Sequence, residues 1–200
     1  MMKDEYKKNG FYSPLVLFSL EQAKIYRNYL EEVENKIGPL HYFAKTYTMM
    51  RWVYEIATNK ILLDFVEDLI GENILLYNAT FIIKEAMTKT HVSWHQDLTY
   101  WGFDDNEKQV SAWIALSNAD ETSGCMQMIP GSHKKGIFDH KSTNDKNNVL
   151  SRGQTVNNVD IDKAILCPLQ PGEASFHHGL TLHASNPVSY THLTLPTIRL

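Results

Sequence analysis

Val92-Ser93-Trp94-His95-Gln96-Asp97 is the stretch on which the reading of this chain turns. Its residues suit a strand, where successive side chains point to opposite faces. His95 and Asp97 then share one face, and Trp94, Gln96 and Leu98 share the other. One imidazole and one carboxylate converge on the same point. A second imidazole brought in from elsewhere would complete the facial triad that holds non-heme Fe(II) and leaves coordination positions open for an organic co-substrate and dioxygen. Alone, the pair carries little weight. With 9 histidines and 11 aspartates in 200 residues, about 0.5 His-x-Asp pairs arise by chance, and a surface strand explains the pattern as well.

The rest of the chain narrows the choice. With 43% hydrophobic and 21% charged residues, the composition fits one soluble globular domain with a real core. A formal net charge of −4 argues against nucleic acid or an anionic membrane as partner, because both reward a basic face. Cys125 and Cys167 form neither a metal knuckle nor a disulfide framework, which suits a reducing compartment where Fe(II) survives. No apolar run reaches membrane-spanning length, and Met1 to Glu5 leads into a mixed-charge segment with no signal-peptide core, so a cytoplasmic location is expected.

Ser19 followed by Gln22 reads as a capping box, and Ala23, Tyr26, Leu30, Val33 and Ile37 recur at helical spacing up to Gly38-Pro39. Further helical patterns cover Met49 to Ala57 and run from Asn59 to Gly71. Beyond Gly71 the texture changes to strands: 74–84, 92–98, 110–116, 125–129, 164–169, 174–178 and 180–185, parted by Gly, Pro, Asn and Asp clusters. Helices followed by many short strands predict an α+β domain whose β part is a sandwich or barrel. The polar segment from Ser132 to Asp162 has no clear period and is expected to be a lid over a site or a disordered insertion.

Three histidines compete to supply the second imidazole. His183 sits in a strand pattern that places it with Ser185 on one face and Leu182 with Ala184 on the other, so it is preferred. His177 and His178 precede the Gly179 turn, where hydrogen bonding to the ligands or packing is the better role. His133, just past Pro130-Gly131, is assigned a structural or surface role.

Four motifs in order now carry a resemblance: Ser93-Trp94-His95-Gln96-Asp97, Ala112-Trp113-Ile114-Ala115-Leu116, Ser123-Gly124-Cys125-Met126 through Ile129-Pro130-Gly131-Ser132-His133, and Leu182-His183-Ala184-Ser185-Asn186. Together they resemble the phytanoyl-CoA dioxygenase family, from about Gly10 to Pro187. The resemblance implies a double-stranded β-helix, or cupin-like jelly roll, with N-terminal packing helices. It also implies an Fe(II)- and 2-oxoglutarate-dependent dioxygenase that acts on a small-molecule substrate with dioxygen and converts 2-oxoglutarate to succinate and CO2. By the same pattern His95, Asp97 and His183 match the iron ligands. Gln96, Trp113 and Ser185 match positions lining the 2-oxoglutarate pocket, with Thr80 and Lys45 as further matches. An aspartate at position 97 favours hydroxylation, because relatives that chlorinate carry a small residue there and bind halide in its place.

The chain departs from the family at its end. Relatives clamp the far carboxylate of 2-oxoglutarate with an arginine where this chain has Thr194. Val188 to Thr197 also reads codon for codon as GTC TCT TAT ACA CAT CTG ACG CTG CCG ACG, the transposase adapter of short-read library preparation. The expectation is therefore an oxygenase domain over 1–187 that lacks its last strands, followed by an adapter-derived tail over 188–200. On that reading neither His192 nor Arg199 counts as a site residue. Two alternatives stand beside the oxygenase: a non-catalytic jelly-roll metal-binding or sensor module, and a plain β-sandwich interaction domain in which the His-x-Asp pair is incidental.

Overall fold

The structure is a computed structural model that describes residues 1–84, 86–101, 107–150, 152–188 and 193–199, the last of these as backbone. In chain order the elements are α1 (Met2–Asn9), β1 (Phe11–Val16), α2 (Leu20–Ile37), α3 (Arg51–Ala57), α4 (Lys60–Ile70), β2 (Asn78–Lys84), β3 (Val92–His95), β4 (Val110–Ile114), β5 (Met126–Met128), β6 (His140–Ser142), β7 (Gln154–Val156), β8 (Ile165–Cys167), β9 (Glu173–His178), β10 (His183–Ser185) and β11 (Leu193–Arg199). The expected helices and the major strands are present. α1 and β1 were not legible in the sequence, because the short charged run and Pro14 hide their period.

The helix boundaries follow from capping. Ser19 Oγ accepts the Gln22 N–H at 3.2 Å to open α2, Asn59 Oδ1 accepts the Leu62 N–H at 3.2 Å to open α4, and Gly38 and Gly71 close them at φ +90° and +93°. Two sheets face each other as a jelly roll: one in the order β1-β9-β4-β11-β2, the other β3-β10-β5-β8, all antiparallel, with β6 and β7 as a separate hairpin. Among the described residues no helix is long and apolar enough to cross a membrane.

Alternation along the strands sorts the large sheet into two faces. Ala79, Phe81 and Ile83 of β2, Ala112 and Ile114 of β4, and Ala174 and Phe176 of β9 pack under the helices with Leu30, Trp52, Ile56, Leu62 and Phe65. The intervening residues Thr80, Ile82, Lys84, Ser111, Trp113, Ser175 and His177 turn to the other face, toward the small sheet. The polar face of one amphipathic sheet is thus the floor of the candidate site.

Residues 193–199 form β11 between β2 and β4, in register from Leu193↔Lys84 to Arg199↔Asn78 on one side and from Thr197↔Trp113 to Arg199↔Ser111 on the other. Two neighbouring strands with unpaired N–H and C=O groups are a template for any segment of adequate β propensity, and Leu193-Thr194-Leu195 and Thr197-Ile198 supply it. Pro196, which has no N–H to give, lies outside the stretch paired to β4. His192 lies outside the described residues.

The segment 132–162, for which a lid or a disordered insertion was expected, carries secondary structure among its described residues. It contains β6 and β7, buries Leu150 and Val156, and is tied to β3 by Ser93 Oγ, which donates to Gln154 O at 2.7 Å, and by the His91 N–H, which donates to Asn147 O at 2.9 Å. Its polar side chains hid the few apolar anchors from a periodicity reading.

Candidate metal centre

β3 and β10 are antiparallel neighbours in which His95 and His183 are direct partners, so their side chains rise from the same face of the small sheet. The two rings lie with centroids 4.1 Å apart. β3 ends at His95, Gln96 remains extended, and a short 3-10 turn over Asp97–Tyr100 swings the Asp97 carboxylate back toward both rings. Asp97 Oδ1 is 3.4 Å from His95 Nε2 and 3.8 Å from His183 Nε2, and the three ligand atoms lie within 4.8 Å of one another. All three residues are buried.

Each donor atom is aimed by a partner. His95 Nδ1–H donates to Ser93 O at 2.9 Å and His183 Nδ1–H donates to Thr181 O at 2.8 Å. Since a carbonyl can only accept, the hydrogen of each neutral ring sits on Nδ1 and the lone pair on Nε2 points at Asp97. Asp97 Oδ2 accepts from Ser111 Oγ at 2.7 Å and from His177 Nε2–H at 3.1 Å, which leaves Oδ1 turned to the imidazoles. Burial, reinforced by the adjacent His95 and His177 rings, holds His183 well below the usual histidine range, so it stays neutral and able to ligate. Two neutral imidazoles and one carboxylate on one side of a point, with backbone-fixed orientations, suit a divalent ion of the iron type.

The triad separates two chambers. The inner one, between the sheets, is lined by Lys84, Trp113, His177 and Ser185 with the apolar Ile82, Val92 and Met126. The outer one is lined by Tyr42, Tyr77, Asn78, Thr80, Tyr100, Trp101 and Arg152. His95, Asp97 and Leu150 border both.

The other sequence-derived site residues divide between these regions. Trp113 and Ser185 line the inner chamber beside the triad. Thr80 lines the outer one, its buried Oγ1 without a hydrogen-bond partner among the described residues. Gln96 does not reach either chamber. Its Nε2 donates to Gly136 O at 2.8 Å and Leu180 O at 2.7 Å, and its Oε1 accepts the Phe138 N–H at 2.8 Å, so the amide pins the start of the 132–162 segment to the barrel. Strand alternation, which put Gln96 opposite His95, foretold this better than the family pattern did. Lys45 is also not among the lining residues. It is exposed, in the left-handed region at φ 55°, and its backbone N–H donates to Asn78 Oδ1 at 2.7 Å. His177 holds Asp97, as its place before the Gly179 turn suggested, and His133 Nε2–H donates to Lys7 O at 3.2 Å, away from the triad.

Sequence reading missed Lys84 and Ser111, although a signal existed for both: Lys84 falls in alternation with Thr80 and Ile82, and Ser111 with Trp113. Arg152 sits in the aperiodic loop before β7. Its guanidinium lies 5.4 Å over the Tyr100 ring and donates to Thr99 O at 3.1 Å.

A jelly roll with a buried His-x-Asp and a distal His on one barrel face defines the class of double-stranded β-helix metalloproteins. The sequence profile of the phytanoyl-CoA dioxygenase family matches residues 18–190, and the chain belongs to that family. Among curated relatives, it is 30% identical over 160 residues to a probable alpha-ketoglutarate-dependent hypophosphite dioxygenase of Stutzerimonas stutzeri, a match covering 79% of this chain and 52% of that protein. It is 25% identical over 176 residues to peroxisomal phytanoyl-CoA dioxygenase of Homo sapiens, covering 86% of this chain and 51% of the relative. The chain spans about half the length of these curated relatives. Among solved structures, the non-heme monooxygenase ThoJ in its apo form superposes with a TM-score of 0.86 at 24% identity, covering 100% of this chain and 76% of that one. EvdO2 from Micromonospora carbonacea var. aurantiaca, complexed with 2-oxoglutarate, superposes with a TM-score of 0.80 at 21% identity, covering 99% and 88%. These likenesses confirm the jelly-roll fold.

Proposed function

We propose that this chain is an Fe(II)- and 2-oxoglutarate-dependent dioxygenase that hydroxylates a small molecule, with His95, Asp97 and His183 as the iron ligands. The observation that carries the reading is the convergence of His95 Nε2, Asp97 Oδ1 and His183 Nε2 in a fold of the phytanoyl-CoA dioxygenase family. Iron held there would supply the oxidising chemistry, with dioxygen as the oxidant and 2-oxoglutarate consumed to succinate and CO2. The protein's own residues do the rest. The Nδ1–H tethers to Ser93 O and Thr181 O fix the imidazoles, and Ser111 and His177 hold the carboxylate.

The inner chamber takes 2-oxoglutarate between Trp113 and Ser185. The outer chamber, with its aromatic rings and Arg152, takes the primary substrate on the other side of the metal. Because Asp97 fills the third ligand position, no place is left for halide, and hydroxylation is the outcome. Cys125 and Cys167 are buried and unbridged, which suits a reducing cytoplasm.

The test is Fe(II)-dependent release of succinate from 2-oxoglutarate, which proceeds slowly even without the primary substrate. Wild type is expected to release it and His95→Ala to release none. Metal binding without succinate formation would replace this reading with that of a non-catalytic metal-binding module.

A further inference from the structure

Resting on the 2-oxoglutarate reading above, the geometry points to Lys84 as the anchor of the co-substrate's far carboxylate, with the Ser185 hydroxyl as the second donor to it. Lys84 is 2% exposed, at the end of β2, and its ammonium lines the same chamber as the triad. A cation that deep is costly unless charge and hydrogen bonds compensate it. The hydrogen bonds are present: Nζ donates to Gly124 O at 3.0 Å, to Asn186 O and to Ser185 Oγ. Among the described residues no carboxylate forms an ion pair with Lys84.

Formal charge shows what is missing. Fe(II) with two neutral imidazoles and Asp97 carries +1, and Lys84 brings the chamber to +2. A dianionic 2-oxo acid cancels both, chelating at one end and meeting the ammonium at the other. The spacing agrees. Ser185 is two residues past His183 on the same strand face, about 7 Å along the chain, within reach of a five-carbon diacid that starts at the metal.

The position is built. Gly124, at φ +70°, leaves room for the ammonium where a Cβ would lie 2.5 Å from Nζ and 2.4 Å from Asn186 O. Gly124 O and Asn186 O are fixed backbone acceptors that aim Nζ, whereas the Ser185 hydroxyl, now donating to Gly124 O at 2.6 Å, can rotate. When a carboxylate arrives, Nζ exchanges Ser185 Oγ for a carboxylate oxygen and Ser185 turns its O–H to the same group. Burial pushes the ammonium down to about 8, so it remains charged at neutral pH.

Of the cations with described side chains near the site, Arg152 lies in the outer chamber and Lys45 is exposed.

Calorimetric titration of the Mn(II)-loaded protein with 2-oxoglutarate and with 2-oxobutanoate, which lacks the far carboxylate, isolates this contact. Wild type is expected to prefer 2-oxoglutarate by roughly 30-fold or more, the loss typical of one buried charge-assisted partner. Lys84→Met should erase that preference while its affinity for 2-oxobutanoate stays within about threefold of wild type, and Ser185→Ala should reduce the preference partway. If Lys84→Met weakens both acids alike, the lysine only braces the fold and the inference is overturned. A wild-type chain that binds both acids equally overturns it without any variant. Mn(II)-loaded wild type that binds neither acid refutes the proposed function itself, and Lys84 loses its role with it.

Discussion

The two chambers flanking the triad are built by different means. The inner wall consists of strand residues, Lys84 on β2, Trp113 on β4, His177 on β9 and Ser185 on β10, whose positions are fixed by the ladders that pair those strands. The outer wall consists largely of loop residues: Tyr42 after α2, Tyr100 and Trp101 after the Asp97 turn, and Arg152 on the connection to β7. Ladders hold side chains to a fraction of an ångström, whereas loops tolerate insertion and change. The chemistry common to a family belongs on the first kind of wall and substrate choice on the second.

The comparison breaks most severely at the shared border. Replacing His95 or Asp97 by Ala removes a proposed ligand that borders both chambers. Succinate release should fall at least ~1000-fold, because the several kcal/mol supplied by a correctly held metal are lost. Loss of the Mn(II) electron paramagnetic resonance signature of the bound ion checks this, and a variant that kept both would show that the metal sits elsewhere.

A change on the strand wall that spares the ligands should act less strongly. Ser111→Ala takes one donor from Asp97 Oδ2 and leaves His177, so metal affinity should fall roughly 10- to 100-fold with the fold intact. Competition against a fluorescent chelator measures it.

The dryness of the opposite face of β9 can be read from pH. His178, beside His177 on β9, accepts the Leu180 N–H on Nδ1 at 3.0 Å, and burial, aided by His133 and His177, lowers it from the ordinary 6.5 to about 4. Its folded-state pKa lies below the unfolded one, so between these values the unfolded chain binds the proton and the folded chain refuses it. Stability contributed by neutral His178 is complete above about pH 6.5 and declines as pH falls toward 4, by about 2 kcal/mol at pH 5. Urea denaturation of wild type and His178→Gln at pH 7 and pH 5 should show a decline larger by about 2 kcal/mol in wild type. Parallel losses would mean that solvent reaches the ring.

The smallest effect is expected on the loop wall. Arg152 is exposed, so Arg152→Ala should raise KM for an anionic primary substrate about threefold while 2-oxoglutarate affinity holds. A larger loss of 2-oxoglutarate affinity than of substrate affinity would reverse the assignment of the two chambers.

The sequence alone fixed the helices, through caps at Ser19 and Asn59 and apolar spacing, and the strands, through alternation. It also singled out His95, Asp97 and His183, because a two-residue period places ligand pairs on one face without knowledge of the partner strand. At Gln96 and Lys45 likeness of position does not specify the direction of a side chain, which the tertiary contacts set. The pairing of 193–199 likewise depends on what edge is waiting for it. Pairing of β3 with β10, the meeting of Lys84 with Ser185, Gly124 and Asn186, and the grip of Ser111 and His177 on Asp97 were decided only by tertiary structure. Those contacts join residues as much as 102 positions apart, and no local propensity specifies which strand lies beside which.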